Sequence, residues 1–313
     1  MKRRYAIIGA GAVGGYYGAL LHTAGHEVHF LLHNDFNIVR KCGMRVETGG
    51  RTLQLTDIPI YKDVRDIPPC DVACVALKTT HNHLLDHLLP PLVDNGAAVL
   101  LLQNGLHPEE DAAPYVPAER LHGGLCFICS VKAGPGHIRH MDYGAVKIGA
   151  YRPGYTPAGI TPAMEVLAAD LKAADIDAQL TGDLGDARWR KLVWNVPYNG
   201  LSVVLNATTA ELMDAPPARQ RVQTLMTEVA RTAAAAGREI TTDFMSKMLG
   251  DTAAMKPYYP SMKVDFDQGR PMEVESIYGD VVRFADSHSV DVPSIRTLYA
   301  ELQKMDGKRS ENG

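Results

Sequence analysis

Lys191, Asn195 and Asn199 recur every fourth residue in RWRKLVWNVPYNG, residues 188–200. On an α-helix this spacing sets one ammonium and two carboxamides on one side, among Trp189, Leu192, Val193, Trp194 and Val196. An ammonium can donate a proton and stabilise negative charge on an oxygen, and a carboxamide both donates and accepts hydrogen bonds. The same trio has an inert explanation: a lysine that snorkels from the helix and asparagines bonded to neighbouring backbone. Pro197 lies between the two asparagines, where it removes a helical hydrogen bond and predicts a kink. Further along, SMKVDFDQGRPMEVESIYG offers Ser261, Asp265, Asp267, Glu273 and Glu275, and position alone does not choose among them.

A second set of candidates belongs to the other end of the chain. Gly9-Ala10-Gly11-Ala12-Val13-Gly14 is GxGxxG, directly after an apolar strand and opening a helix. The first glycine permits a tight turn, the second lets the backbone approach a pyrophosphate, and the third lets helix and strand pack closely. The helix N-terminus favours the phosphate charge. VALKT puts Lys78 just past a buried strand, and LLQNGL puts Asn104 at the end of another. In a doubly wound sheet these positions border the ligand crevice. An acid at the end of the second strand suits the ribose hydroxyls of NAD, and a base suits the extra phosphate of NADP. Here the stretch is His33-Asn34-Asp35: His33 holds the strand-end position, Asp35 lies slightly beyond the usual place, and Arg40 and Lys41 follow.

The elements that must position these residues alternate in the first half. Strands are expected at Tyr5–Gly9, Glu27–Leu32, Val72–Leu77 and Ala97–Gln103, with a helix at Ala12–Thr23. The last two strands are nearly continuous apolar runs, the mark of a parallel sheet covered on both faces. Gly49-Gly50 separates two alternating runs and predicts a hairpin. GGLCFICSVKAGPGHIRHMDYGAVKIGAY should finish the sheet with antiparallel or mixed strands, and MEVLAADLKAADIDAQL adds one more helix and strand. After Thr181-Gly182 only helices are expected, among them one over Met272–Ser287. The reading is an α/β domain of Rossmann type over residues 1–181, an all-helical domain over 182–306, and a frayed tail over 307–313.

Composition narrows the class further. The 313 residues are 46% hydrophobic and 22% charged, as in a globular protein, and the net charge of −4 speaks against nucleic acid or an anionic membrane as partner. The basic start and apolar run of MKRRYAIIGAGAVGGYYGALL imitate a signal peptide, but five glycines break the run and no stretch is long enough to span a membrane. The expected compartment is the cytoplasm. Cys126 and Cys129 form CxxC, and Cys70 and Cys74 form CxxxC, yet both pairs fall in strand-like runs, where residues three apart face opposite ways. No metal site is expected, and His83 and His87 of HNHLLDH read as the solvated side of a helix.

Taken in order, GAGAVGG, ALKT, LLQNG, WRKLVWN and SMKVD followed by GRPME resemble the ketopantoate reductase (2-dehydropantoate 2-reductase) family, from the first strand to about Pro293. The glycine turn is shared by many dehydrogenases, whereas its ordered combination with WRKL-x-x-N and GRP-x-E is much more specific. The resemblance implies an N-terminal Rossmann domain and a helical C-terminal domain of the 6-phosphogluconate dehydrogenase type. The active site lies in the cleft between them, and a 2-keto acid is reduced with NADPH. It matches Lys191 to a catalytic lysine, Asn195 and Asn199 to substrate-binding asparagines, and Ser261 to a substrate-binding serine. Glu273 matches a glutamate beside the nicotinamide and the reacting centre. The glycine turn (Gly9, Ala10, Gly11, Ala12, Val13, Gly14), Lys78 and Asn104 match the cofactor side. At the end of the second strand, family members usually carry an arginine that contacts the NADP 2′-phosphate; the matching residue here is His33. Tyr258 stands near a polar substrate contact of some members. The partners implied are a small 2-keto acid and possibly a second copy of the chain. Rival readings are a reductase of another keto acid, a non-catalytic dinucleotide sensor, and a structural Rossmann-like protein.

Overall fold

The computed structural model describes residues 2–310 of the backbone, with side chains described through residue 307. The chain divides into two units, one of residues 1–104 and 108–184, the other of residues 105–107 and 185–313.

The first unit is built on a single sheet, with ten strands among the described residues. Strand β1 (Arg4–Ile8) runs into the glycine turn and helix α1 (Ala12–Thr23), followed by β2 (Glu27–Leu31) and α2 (Phe36–Cys42). A hairpin of β3 (Met44–Thr48) and β4 (Arg51–Leu55) turns at Gly49-Gly50, with Thr48 paired to Arg51. Both glycines take positive φ, as so tight a reversal requires. Then come β5 (Ile60–Tyr61), β6 (Val72–Val75), the short helices α3 (Leu85–Leu88) and α4 (Pro90–Val93), β7 (Ala98–Leu101) and α5 (Pro108–Ala112). The long strands β8 (Leu121–Gly134) and β9 (His137–Ala150) form an antiparallel ribbon, and α6 (Pro162–Ala173) and β10 (Ala178–Leu180) close the unit.

The strand order is β4-β3-β9-β8-β7-β6-β1-β2-β5, with β10 on β9. Strands β5, β2, β1, β6, β7 and β8 run parallel to their neighbours in that order, so the chain leaves β1 to one side and returns to β6 on the other. The point where the order reverses lies between β1 and β6, where such sheets hold their ligands. Ile7, Phe30, Cys74 and Leu100 are buried in the sheet core with Tyr17 and Leu21 of α1. Burial on both faces explains why the central strands read as unbroken apolar runs.

Among the described residues, the second unit contains no strand. Its helices are α7 (Leu184–Val204), α8 (Thr209–Asp214), α9 (Pro216–Ala235), α10 (Thr242–Ala254), α11 (Ser261–Asp267), α12 (Asp280–Ser287) and α13 (Pro293–Ser310). Thr208 and Glu211 form a reciprocal capping box at the start of α8. The buried Glu228 carboxylate accepts the amides of Ser294 (3.0 Å) and Ile295 (2.9 Å), placing negative charge on the N-terminus of α13. Leu106, Trp189, Val193, Leu225 and Ile295 meet in one apolar core. Two details differ from the sequence reading. Met272–Ser287 is not one α-helix: Glu275–Gly279 is a π turn that leads into α12. The frayed tail expected from residue 307 is helical through Ser310, because α13 continues; residues 311–313 lie outside the described residues.

Candidate active site

In the first unit, three strand ends are brought level. Ile8 pairs with Val75, and Val75 with Leu101, so the segments that follow β1, β6 and β7 leave the sheet at one edge. These segments carry the glycine turn, Lys78 and Asn104. Gly9 has φ +94°, and a Cβ there would lie 2.8 Å from the Leu77 amide nitrogen, so the turn and the segment before Lys78 touch. Lys78 precedes a 3₁₀ turn (Thr79–Leu84) and its carbonyl accepts the His81 amide at 2.9 Å. Gln103, buried at the end of β7, donates to the Leu77 carbonyl (2.9 Å) and to Asn82 Oδ1 (2.6 Å), tying two of the loops together. The sequence marked its neighbour Asn104 and passed over this residue.

The glycine turn has the shape a pyrophosphate needs. A Cβ on Gly14 would collide with the Gly9 carbonyl oxygen, so the third glycine is demanded by packing. Nothing lies within 4 Å of the space a Cβ on Gly11 would occupy. Gly11 is the N-cap of α1 and no side chain caps this helix start, the arrangement in which first-turn amides can meet a phosphate. The residues therefore fit a dinucleotide, with room kept for it at the second glycine.

Beyond β2, His33 and Asn34 are exposed, as are Arg40 and Lys41. Asp35 behaves differently from a ribose ligand. Its side chain is 9% exposed, Lys132 Nζ lies 2.8 Å from its carboxylate, and the Gly136 amide donates to Oδ2 at 3.0 Å. Burial pushes the Cys70 and Cys74 thiols up to about 12, which keeps both protonated near neutral pH.

In the second unit, Lys191, Asn195 and Asn199 all lie on α7, which is helical through Pro197. Lys191 is half-buried, while Asn195 and Asn199 are buried. Asn199 Oδ1 accepts the Met262 amide at 3.4 Å, and this brings the asparagine to the start of α11 beside Ser261, which is exposed. Tyr278, fully buried in the π turn, reaches into α7: its hydroxyl donates to the Val196 carbonyl at 2.9 Å and takes a bond from the Gly200 amide. These are the two groups that an unbroken helix would join directly. A Cβ on Gly200 would sit 2.5 Å from that hydroxyl, so glycine is needed there. An aromatic hydroxyl inserted in the helix ladder next to Pro197 was not legible beforehand, although GRPMEVESIYG contained the tyrosine.

The carboxylates sort themselves. Asp265 is buried and bound by Arg270 (2.8 and 3.0 Å), and Asp267 is paired with Lys263. Glu275 is engaged by Tyr299 (2.6 Å), Arg283 (2.9 Å) and Gln303 (3.1 Å). Glu273 is buried just before the π turn, the type of local irregularity found often at functional sites. Arg188, also buried, donates to the Gly105 carbonyl at 3.4 Å, and Leu106 N–H bonds the Ser276 carbonyl at 3.0 Å, so residues 105–107 are held by the second unit. Tyr258 pairs with Thr209 through its backbone (3.0 Å).

A mixed sheet with a parallel centre and an open glycine turn at its switch point, followed by an all-helical unit carrying a lysine and two buried asparagines on one helix, defines a two-domain, dinucleotide-binding oxidoreductase. The chain belongs to the ketopantoate reductase family: residues 5–153 match the model "Ketopantoate reductase PanE/ApbA" and residues 183–306 match "Ketopantoate reductase PanE/ApbA C terminal". It is 49% identical over 307 residues to the 2-dehydropantoate 2-reductase of Nostoc sp., covering 98% of this chain and 96% of that protein. The crystal structure of 2-dehydropantoate 2-reductase from Geobacter metallireducens superimposes with a TM-score of 0.90 at 36% identity, covering 96% and 99% of the two chains. D-mandelate dehydrogenase, solved with NADH and anilino(oxo)acetate, shares the fold at 23% identity and a TM-score of 0.88, covering 98% and 99%.

Proposed function

We propose that this chain reduces 2-dehydropantoate to pantoate with NADPH, the reduction that serves pantothenate biosynthesis, with the cytoplasm as its compartment. The observation that carries the reading is the 49% identity to a 2-dehydropantoate 2-reductase across 98% of the chain. The ordered set Lys191, Asn195, Asn199, Ser261 and Glu273, all within the second unit, supports it by offering a proton donor and hydrogen-bonding groups for a keto acid. The glycine turn Gly9–Gly14 would hold the pyrophosphate, with Lys78 and Asn104 bordering the crevice and His33 at the adenosine end. A bound nicotinamide would supply the hydride that the C2 carbonyl carbon accepts. Lys191 donates a proton to the carbonyl oxygen as negative charge builds there, which completes the alcohol. Asn195 and Asn199 orient the hydroxyl and carboxylate groups, Ser261 adds a hydrogen bond to the substrate, and Glu273 orients Lys191 or the substrate.

The test is NADPH oxidation with 2-dehydropantoate, run beside NADH and a panel of other 2-keto acids. Turnover should be fastest with NADPH and 2-dehydropantoate, and Lys191→Ala should lower kcat by about 100-fold or more. Unchanged turnover in Lys191→Ala would remove the lysine from the chemistry. Tight NADPH binding without turnover of 2-dehydropantoate would move the substrate to another keto acid.

A further inference from the structure

In a doubly wound nucleotide-binding sheet, the ribose of the adenosine half lies against the end of the second strand. A carboxylate free at that place bonds the 2′-hydroxyl and repels a 2′-phosphate. Asp35 is the one carboxylate in this chain between Leu31 and Cys42. It is withdrawn from that role by the β8–β9 ribbon. Lys132, near the end of β8, approaches to 2.8 Å, and the amide of Gly136 in the turn donates to Oδ2 at 3.0 Å. The turn is closed tightly on α2: Gly136 has φ +61°, and a Cβ there would sit 2.9 Å from Val39 Cγ2. Its carbonyl accepts the Arg45 amide at 2.8 Å, which fixes the turn from the other side. The Lys132 side chain keeps 35% of its surface exposed, against 9% for Asp35, so the ammonium borders solvent while the carboxylate does not.

We propose that Lys132 is a specificity-determining residue for the cofactor. By neutralising Asp35 and holding it against the β8–β9 turn, it lets the end of β2 accept a 2′-phosphate without an arginine there. The proposal rests on the NADPH reading and deepens it. His33, Asn34, Arg40 and Lys41, near Asp35 in sequence, are exposed. Removal of the ammonium leaves a carboxylate without its counter-charge close to the phosphate, and the penalty falls on NADP and not on NAD.

The experiment is calorimetric titration of the full chain with 2′,5′-ADP and with AMP, and with NADP⁺ and NAD⁺. These probes carry the same adenosine half with and without the 2′-phosphate and need no turnover. Lys132→Met should weaken 2′,5′-ADP and NADP⁺ about tenfold and leave AMP and NAD⁺ within about twofold. Lys132→Arg should keep wild-type affinities, and adding Asp35→Asn to Lys132→Met should recover most of the loss. Asp35→Asn alone should tighten 2′,5′-ADP, which covers the case in which Lys132→Met does not fold. Equal weakening of both probe types, or no change in either, overturns the proposal, since a merely structural lysine would not discriminate by the phosphate. The wild-type preference reads separately: if the unmodified chain binds NAD⁺ more tightly than NADP⁺, the NADPH reading fails and this inference fails with it. If the chain prefers NADP⁺ and Lys132→Met keeps that preference, only the role of Lys132 is lost.

Discussion

Gly11 and Gly14 stand three residues apart in one motif and answer to different constraints. A Cβ at Gly14 meets the Gly9 carbonyl and lies 2.9 Å from Ala76 Cβ, whereas at Gly11 it meets nothing of the protein. Gly14→Ala should therefore lose about 1–3 kcal/mol of stability by overpacking. Gly11→Ala should melt like the wild type yet bind NADP⁺ at least about tenfold more weakly, because its methyl takes the space left for the pyrophosphate. Thermal melts beside cofactor titrations separate the two effects. His107 gives a prediction in pH. Burial pushes its pKa down to about 4, with Arg188 and Arg283 adding to the shift. The unfolded imidazole titrates near 6.5. Between these values the unfolded chain takes up the proton and the folded one does not, so stability falls as pH falls from about 6.5 to 4. His107→Gln should flatten that part of the melting temperature–pH curve and leave the slope above pH 7 unchanged. At this scale the sequence was legible where spacing is local, as in Gly9–Gly14 or Lys191–Asn199. The partner of Asp35 was not, because Lys132 lies 97 residues away and only the sheet order brings β8 to α2.

The helix α7 depends on an element that follows it by more than seventy residues, since Tyr278 reaches Val196 with a separation of 82. The hydroxyl lies between Asn195 and Asn199 in the ladder, next to a proline that already lacks its amide hydrogen. In Tyr278→Phe the Val196 carbonyl and Gly200 amide must either rejoin or stay unpaired. The expected cost is about 1 kcal/mol in chemical denaturation. Because the asparagines flank the inserted hydroxyl, KM for the keto acid should rise by about five- to tenfold while the Kd for NADP⁺ holds. A variant with wild-type KM would make the hydroxyl a packing detail alone. The strands and the Gly49-Gly50 hairpin could be anticipated, because apolar runs and turn glycines are local signals. The π turn could not: nothing in the spacing of ESIYG tells an i→i+5 ladder from an i→i+4 one.

For the whole molecule, the α/β first half and the helical second half followed from the change of period along the chain: short apolar runs before residue 181, wider amphipathic spacing after it. What period could not reveal was the order of the strands. The ribbon of β8 and β9 puts β3 and β4 at one margin of the sheet, although they directly follow α2 in sequence. Nor could it reveal that residues 105–107 belong with the second half. Leu106 is buried in the helical core, its amide bonded to Ser276, and Arg188 holds the Gly105 carbonyl. This small segment limits how the protein can be made and exchanged. A ribosome delivers Leu106 long before the helices that enclose it, so the segment waits until α7 and the π turn arrive. A gene cut after residue 184 would give one fragment with a stranded apolar loop and another with a hole where Leu106 belongs. Recombination at the apparent boundary therefore parts Leu106 from its socket, and an exchanged helical half must bring one that fits it.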